Sequence, residues 1–259
     1  MLYHINEVYF EKGSAVMKLT VFGHWGGYPV ANEGTSSYLL EEAGFKLLID
    51  VGASAVSIMQ NYIDPDDIDA AIISHYHPDH VADVGILQHI RLLSQKKEKP
   101  PVLPIYGHKE DERGYSYLEM ANVTKAIEYK PDDRLEIGPF KVTFLKTIHP
   151  VPCYAMRIEA GDKVFVYTAD SAYQDSFIPF SEGADLLVTD TNFFHDLAGK
   201  TKVHMASTEV AKIAREANVK SLLLSHLPEV GDLEVLKQEA AAIYTGEIAL
   251  ASKGFTKTF

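Results

Sequence analysis

Residues 74–80, Ser74-His75-Tyr76-His77-Pro78-Asp79-His80, hold four metal-competent side chains within six positions. On an extended backbone His75 and His77, two residues apart, leave the same face and can converge on one ion. Pro78 favours a break before a helix, so Asp79 and His80 can swing toward a neighbouring position. Neutral imidazole and carboxylate suit zinc, manganese or iron rather than calcium, which takes oxygen alone. The apolar run Ala70-Ala71-Ile72-Ile73 precedes the segment and a helical pattern follows, the setting of an active-site loop. A solvated polar loop with three chance histidines is the plainer alternative.

Further ligand-type residues stand where strand-like runs end. His149 follows 140–147, Asp170 follows Val164-Phe165-Val166-Tyr167-Thr168, and His226 follows Ser221-Leu222-Leu223-Leu224, just as His75 follows 70–74. Taken singly, an aspartate after a strand is usually a turn former or helix cap, and a lone histidine a packed or surface residue. Together they match the number of ligands a two-metal site needs, with a carboxylate to bridge. Strand ends are also where layered α/β folds build sites.

The elements expected to position them are strands at 17–22, 37–41, 45–50, 70–74, 102–106, 140–147, 154–159, 163–168, 185–189 and 220–225, and helices near 53–62, 79–95, 207–217 and 233–244. Ser207 reads as the cap of the third of these helices, ahead of Glu209 and the apolar Val210, Ala211, Ile213 and Ala214. Early hairpins at Glu41–Gly44 and Glu159–Asp162, followed by strands alternating with helices, predict an α/β (α+β) fold of packed sheets with helices outside. No low-complexity linker divides the 259 residues, so a single domain over 1–259 is expected, with 1–16 as a leader extension before Met17. Residues 94–101 read as a solvated helix end and turn.

The formal net charge of −12 repels polyanions and disfavours nonspecific nucleic-acid binding. The single cysteine, Cys153, excludes an internal disulfide framework and fits a reducing compartment. Without a membrane-length apolar run or a signal-peptide core near the start, the expected location is cytoplasmic, away from membranes.

With its HxHxDH loop and later His, Asp and His, the chain resembles the metallo-β-lactamase superfamily from about Met17 to His226. The resemblance implies a four-layer αββα sandwich. It also implies one metal on His75, His77 and His149, a second on Asp79, His80 and His226, and Asp170 bridging them. The cofactor would be two divalent ions per chain, zinc first, with manganese or iron as alternatives. A narrower resemblance is to the ribonuclease Z branch, through Met17-Lys18-Leu19-Thr20, Thr35-Ser36-Ser37-Tyr38-Leu39-Leu40-Glu41, residues 203–211 and residues 219–226. It implies a proton-donating His204, with Asp190 as its acidic partner, and a homodimer as the common assembly. Two features depart from that branch. His149 and Asp170 are only 21 residues apart, room for one hairpin rather than a transfer RNA-binding arm, and Thr189-Asp190-Thr191-Asn192 replaces the usual His-Glu-Ala-Thr.

The mechanism so implied has two ions about 3.5–4 Å apart lowering the pKa of a bridging water toward about 7, which gives hydroxide as nucleophile. Asp79 would orient it and His204 would protonate the departing alkoxide. The first reading is a metal-dependent hydrolase, a di-zinc phosphodiesterase for small phosphodiesters such as cyclic nucleotides, or for short RNA ends. Intact transfer RNA is not expected as a substrate. A hydrolase of thioesters, lactones or sulfate esters is the alternative on the same site, and a non-catalytic metal-binding or regulatory protein the alternative of another class. His4, His89, His108 and His195 read as surface or packing residues. His24 is set apart because its glycine-rich turn, Gly23-His24-Trp25-Gly26-Gly27, could approach the site.

Overall fold

The computed structural model describes residues 15–259. In chain order the strands are β1 (Lys18–Gly23), β2 (Ser37–Glu42), β3 (Phe45–Ile49), β4 (Ala70–Ile72), β5 (Leu103–Gly107), β6 (Thr124–Glu128), β7 (Arg134–Ile137), β8 (Phe140–Lys146), β9 (Tyr154–Ala160), β10 (Lys163–Tyr167), β11 (Leu186–Asp190), β12 (Ser221–Ser225), β13 (Glu247–Leu250) and β14 (Thr256–Thr258). The helices are α1 (Ala55–Met59), α2 (Pro78–Val81), α3 (Val84–Leu92), α4 (Glu112–Ser116), α5 (Phe177–Phe180), α6 (Ser207–Glu216) and α7 (Leu233–Ala241). Two seven-stranded sheets result, ordered β14-β1-β2-β3-β4-β5-β6 and β13-β12-β11-β10-β9-β8-β7.

Strand alternation divides the apolar residues among three cores. Leu47 and Ile49 of β3 and Leu223 of β12 enter the core between the sheets, with Phe140, Met156 and Phe165. Leu48 turns outward to meet Val56 of α1 and Leu87 of α3. Leu222 and Leu224 face Val210 and Ile213 of α6 and Leu236 of α7. Helix, sheet, sheet, helix is the four-layer αββα sandwich. No helix among the described residues is long and apolar enough to cross a membrane.

β3 to β6 run parallel, as do β10 to β13, while β8 and β10 are each antiparallel to β9. The C-terminal ends of β10, β11, β12 and β8 therefore open on one edge of their sheet, and those of β3 and β4 on one edge of the other.

Several elements differ from the sequence reading. β6, β7, β13 and β14 were not anticipated, and these four are the edges of the two sheets. Edge strands are short and present polar side chains, as in Thr-Lys-Thr of β14, so their apolar alternation is weak. The expected helix over 79–95 is two pieces, α2 and α3, separated at Asp83, whose carboxylate turns away to accept the Val56 N–H (3.0 Å). The cap of α6 is Ala206 and not Ser207. Ser207 Oγ instead bonds Glu239, and Glu209 closes the turn by accepting the Ala206 N–H (2.8 Å). Of the expected leader, Ala15 packs into the inter-sheet core and Val16 is exposed, its N–H on the Glu42 carboxylate (2.9 Å); residues 1–14, with His4, lie outside the described residues.

Candidate metal centre

β4 ends at Ile72, and the extended loop that follows passes into α2 with Pro78 in its first turn. Proline lacks a backbone N–H, which no hydrogen bond needs at that position, and its fixed φ starts the helix. His77 precedes the turn while Asp79 and His80 lie within it, so the two halves of the motif point to two places. At the first, His77 Nδ1 is 3.2 Å from His75 Nε2 and 3.1 Å from His149 Nε2. Asp170 Oδ2 stands 3.7 Å from His75 Nε2 and 3.8 Å from His149 Nε2. At the second, His80 Nε2 is 3.2 Å from Asp170 Oδ1, and His226 Nε2 is 3.2 Å from Asp79 Oδ2 and 3.3 Å from Asp170 Oδ2. All seven residues expected to hold metal thus gather in two groups, each with its donor atoms within 4.8 Å of one another, and Asp170 belongs to both.

The donor chemistry fits divalent transition ions. His80 Nε2 and Asp170 Oδ1 are buried and make no hydrogen bond, although buried polar atoms almost always find a partner. The field calls for positive charge. Burial alone would lower the pKa of His80 and His226, yet Asp170 and Asp79 around His80, and Asp170 and Asp190 around His226, hold both well above the ordinary imidazole value. Burial would likewise raise Asp79 and Asp170, but the surrounding imidazoles keep both carboxyls well below the usual range. Protons on the histidines occupy the role that a cation takes when it displaces them. In the other group burial dominates and pushes His75, His77 and His149 down, so these imidazoles are neutral donors. Clustered in this way, the His and Asp residues form a metal-binding site of the kind a metal-dependent hydrolase uses.

Asp50 is the residue that sequence reasoning missed. Fully buried, it accepts hydrogen bonds from Ser74 N–H (2.7 Å), Ser74 Oγ (2.8 Å), His80 Nδ1 (2.7 Å) and Tyr167 OH (3.0 Å). By accepting the Nδ1 proton it leaves His80 Nε2, beside Asp170, as the nitrogen that would give its lone pair to an ion. The available signal was an aspartate at the C-terminal end of the 45–50 run, as for Asp170. His149 Nδ1 is likewise engaged, by the Val203 carbonyl (3.2 Å).

His204 lies beside this set, its ring centroid 4.9 Å from that of His226. Its Nδ1 is 2.8 Å from Asp190 Oδ2, which also accepts the Ser171 N–H (3.0 Å). Burial would lower the His204 pKa, but the Asp190 carboxylate outweighs it and raises the value. The side chain is 19% exposed, against 1% for Asp190.

The glycine-rich turn does reach the site, through Gly26 and Gly27 and not through His24. Gly27 N–H donates to Asp79 Oδ2 (2.9 Å). Gly26 lies on His226, where an added Cβ would be 2.6 Å from Nδ1. His24 is buried beside Glu33 (3.4 Å), which also bonds the Trp25 indole at 2.5 Å and anchors the turn. His108 is a buried packing residue, while His89 and His195 are exposed.

The beta-lactamase superfamily domain profile matches residues 46–227. A probable metallo-hydrolase, YhfI of Bacillus subtilis (strain 168), is 48% identical over 240 residues, covering 92% of this chain and 98% of the relative. The crystal structure of that metallo-beta-lactamase fold protein superposes with a TM-score of 0.90 over 94% of this chain and all of the other. A ribonuclease Z of Haloarcula marismortui is 26% identical over 300 aligned positions, covering 93% of this chain and 96% of the relative. A diphosphatase of the PhnP family, at 19% identity over 94% of this chain and 97% of its own, shares the fold with a TM-score of 0.72. With the four-layer sandwich and the two His/Asp groups on one edge, these matches make the chain a member of the metallo-β-lactamase superfamily.

Proposed function

We propose that the chain is a di-zinc phosphodiesterase for small phosphodiesters, cyclic nucleotides or short RNA ends. One ion would be held by His75, His77 and His149, the other by Asp79, His80 and His226, with Asp170 shared. Imidazole-rich sets with carboxylates favour zinc. When bound, such ions supply Lewis acidity, polarising phosphoryl oxygens and bringing the pKa of water toward about 7.

The observation that carries the reading is the His204–Asp190 pair, 2.8 Å apart and adjoining the ligand set without being needed in it. Asp190 fixes the proton on Nδ1 and leaves Nε2 as the ring nitrogen that can hand a proton to a leaving oxygen. An alkoxide expelled from a phosphodiester is a poor leaving group and gains from that proton, whereas a thioester or β-lactam gains less. Asp79 Oδ2, steadied by Gly27 N–H at 2.9 Å, can accept a hydrogen bond from the attacking water and orient it.

Intact transfer RNA is a poor fit to this site. The stretch between His149 and Asp170 is taken up by the β9–β10 hairpin, and the 300-position alignment to the archaeal ribonuclease Z exceeds the 259 residues of this chain. The net charge of −12 also opposes a long polyanion.

The test is His204→Ala on two diesters, one with an alkoxide and one with a p-nitrophenolate leaving group. The expected loss in kcat is about 10²–10⁴ on the first and much less on the second, with both metals retained by elemental analysis. Equal losses on both would refute the proton-donor role, and loss of metal would make His204 a ligand.

A further inference from the structure

The chemistry above uses neither Tyr28, next to the Gly27 that bonds Asp79, nor Glu229, whose carboxylate lies beside Gly27. The turn carrying Tyr28 is pinned at its base, where Gly26 N–H donates to the Leu227 carbonyl (3.1 Å) and Leu227 N–H to the His24 carbonyl (2.9 Å). Its tip is held by the Gly27 bond to Asp79 (2.9 Å). Tyr28 follows at once, its own N–H on the Gly26 carbonyl (2.8 Å), and is 60% exposed. An aromatic ring is left facing water on a loop whose backbone is fixed against the site. Glu229, three residues beyond His226, places Oε1 3.7 Å from the position a Cβ on Gly27 would take. Bond geometry then puts that oxygen no more than about 9 Å from Asp79 Oδ2. The Glu229 carboxylate has no hydrogen-bond or ion-pair partner among the described residues. Beside a centre meant for an anionic phosphate, an unpaired carboxylate opposes binding unless the same substrate brings hydrogen-bond donors for it.

We infer that Tyr28 and Glu229 determine specificity for a ribonucleoside unit attached to the scissile phosphate, Tyr28 stacking on the base and Glu229 accepting from the ribose hydroxyls. The inference rests on the phosphodiester reading above. A carboxylate can accept from the single free hydroxyl of a 3′,5′-cyclic nucleotide or from both hydroxyls of a 3′-terminal ribose, and an exposed tyrosine offers a flat face to any base. The same carboxylate repels a substrate that continues as further phosphates on that side, so the preference is for a terminal nucleoside and not an internal one.

The experiment compares zinc-loaded protein on p-nitrophenyl phosphodiesters that share one leaving group and differ only in the retained group: methyl, 2-aminoethyl, 2′-deoxyadenosin-5′-yl and adenosin-5′-yl. The adenosine ester should exceed the methyl ester in kcat/KM by about 100-fold, the product of one stacking and one charge-assisted contact. Tyr28→Ala should lower the adenosine-to-methyl ratio about tenfold, through KM, with Tyr28→Phe retaining it. Glu229→Ala should lower the adenosine-to-deoxyadenosine ratio toward unity, with Glu229→Gln partly restoring it. Ratios unmoved in either alanine variant, or a wild type that treats methyl and nucleoside esters alike, would overturn the inference and leave the phosphodiester reading standing. Preference for the aminoethyl ester would overturn the ribose assignment in favour of a cationic group. Turnover of none of the four would remove the phosphodiester reading and this inference with it.

Discussion

Replacing Asp50 by asparagine should weaken one metal position selectively. Asp50 Oδ1 accepts the Ser74 N–H (2.7 Å), and Oδ2 accepts from Ser74 Oγ, His80 Nδ1 and Tyr167 OH at 2.8, 2.7 and 3.0 Å. Asparagine has one acceptor oxygen and one donor nitrogen. If its oxygen stays on the Ser74 N–H, its NH2 group faces three donors. The two hydroxyls can rotate to accept, but the imidazole can adapt only by moving its proton to Nε2. Nε2 is the nitrogen 3.2 Å from Asp170 Oδ1, and a protonated nitrogen cannot ligate.

The cost follows from either end of that bond. A buried donor or acceptor left unmatched costs about 1–3 kcal/mol. Loss of the outer partner of a metal-binding histidine typically lowers affinity about 10–100-fold, which is about 1.4–2.7 kcal/mol. The assay is titration of metal-free protein with zinc against a competing chelator, with metal counted after dialysis. The first equivalent should bind as in the wild type and the second about 10–100-fold more weakly, with far-ultraviolet circular dichroism unchanged. Two equivalents bound with wild-type affinity, or both weakened alike, would refute the argument that Asp50 acts by fixing the His80 tautomer.

Gly26→Ala should lower kcat about 10–100-fold with metal content retained, because its Cβ would sit 2.6 Å from both His226 Nδ1 and Asn192 Nδ2 and must push the Asp79-binding turn outward; steady-state kinetics with metal analysis checks it, and wild-type kcat would mean the turn is not used. Burial pushes His108 down to about 4, so between pH 6.5 and 4 the unfolded chain binds the proton that the folded chain refuses, and stability falls as pH falls. At pH 5 this amounts to about 2 kcal/mol, so His108→Gln should show that much less acid destabilisation than wild type in urea unfolding at pH 7.5 and 5. Equal acid sensitivity in the two proteins would show that His108 is protonated in the fold.

Legibility in the sequence followed burial. Interior strands such as β12, Ser-Leu-Leu-Leu-Ser, are buried throughout and carry an unbroken apolar centre because both faces are covered, and their runs stand out. The four edge strands lack that cover on one side, and β14 is Thr-Lys-Thr with two of its three residues exposed. The centre was legible for a different reason. Seven of the eight residues His75, His77, Asp79, His80, His149, Asp170, His204 and His226 stand at strand ends or in the compressed motif, where packing alone gives no cause for a histidine or aspartate. Asp50 differs because its partners come from β10 and from the motif loop, 117 and 24 residues away, and a contact at that separation leaves no local pattern.

The strand ends carry a further property that residue types do not display. Asp50, Ala169 and His226 leave β3, β10 and β12 with φ of 54°, 49° and 51°, the left-handed region that costs a non-glycine residue about 1–2 kcal/mol. Each reversal is clamped by a side chain on a backbone carbonyl. Ser37 Oγ holds the Asp50 carbonyl (3.0 Å), Thr147 Oγ1 that of Asp170 (2.7 Å), and Asn192 Nδ2 that of His226 (3.1 Å). One such hydrogen bond contributes about 1 kcal/mol, comparable to the strain it offsets. The turn at each strand end is therefore held in the conformation that aims Asp50, Asp170 and His226 inward before any ion arrives. Donor atoms held within 4.8 Å of one another would need little reorganisation to take an ion, and the clamps contribute that preorganisation.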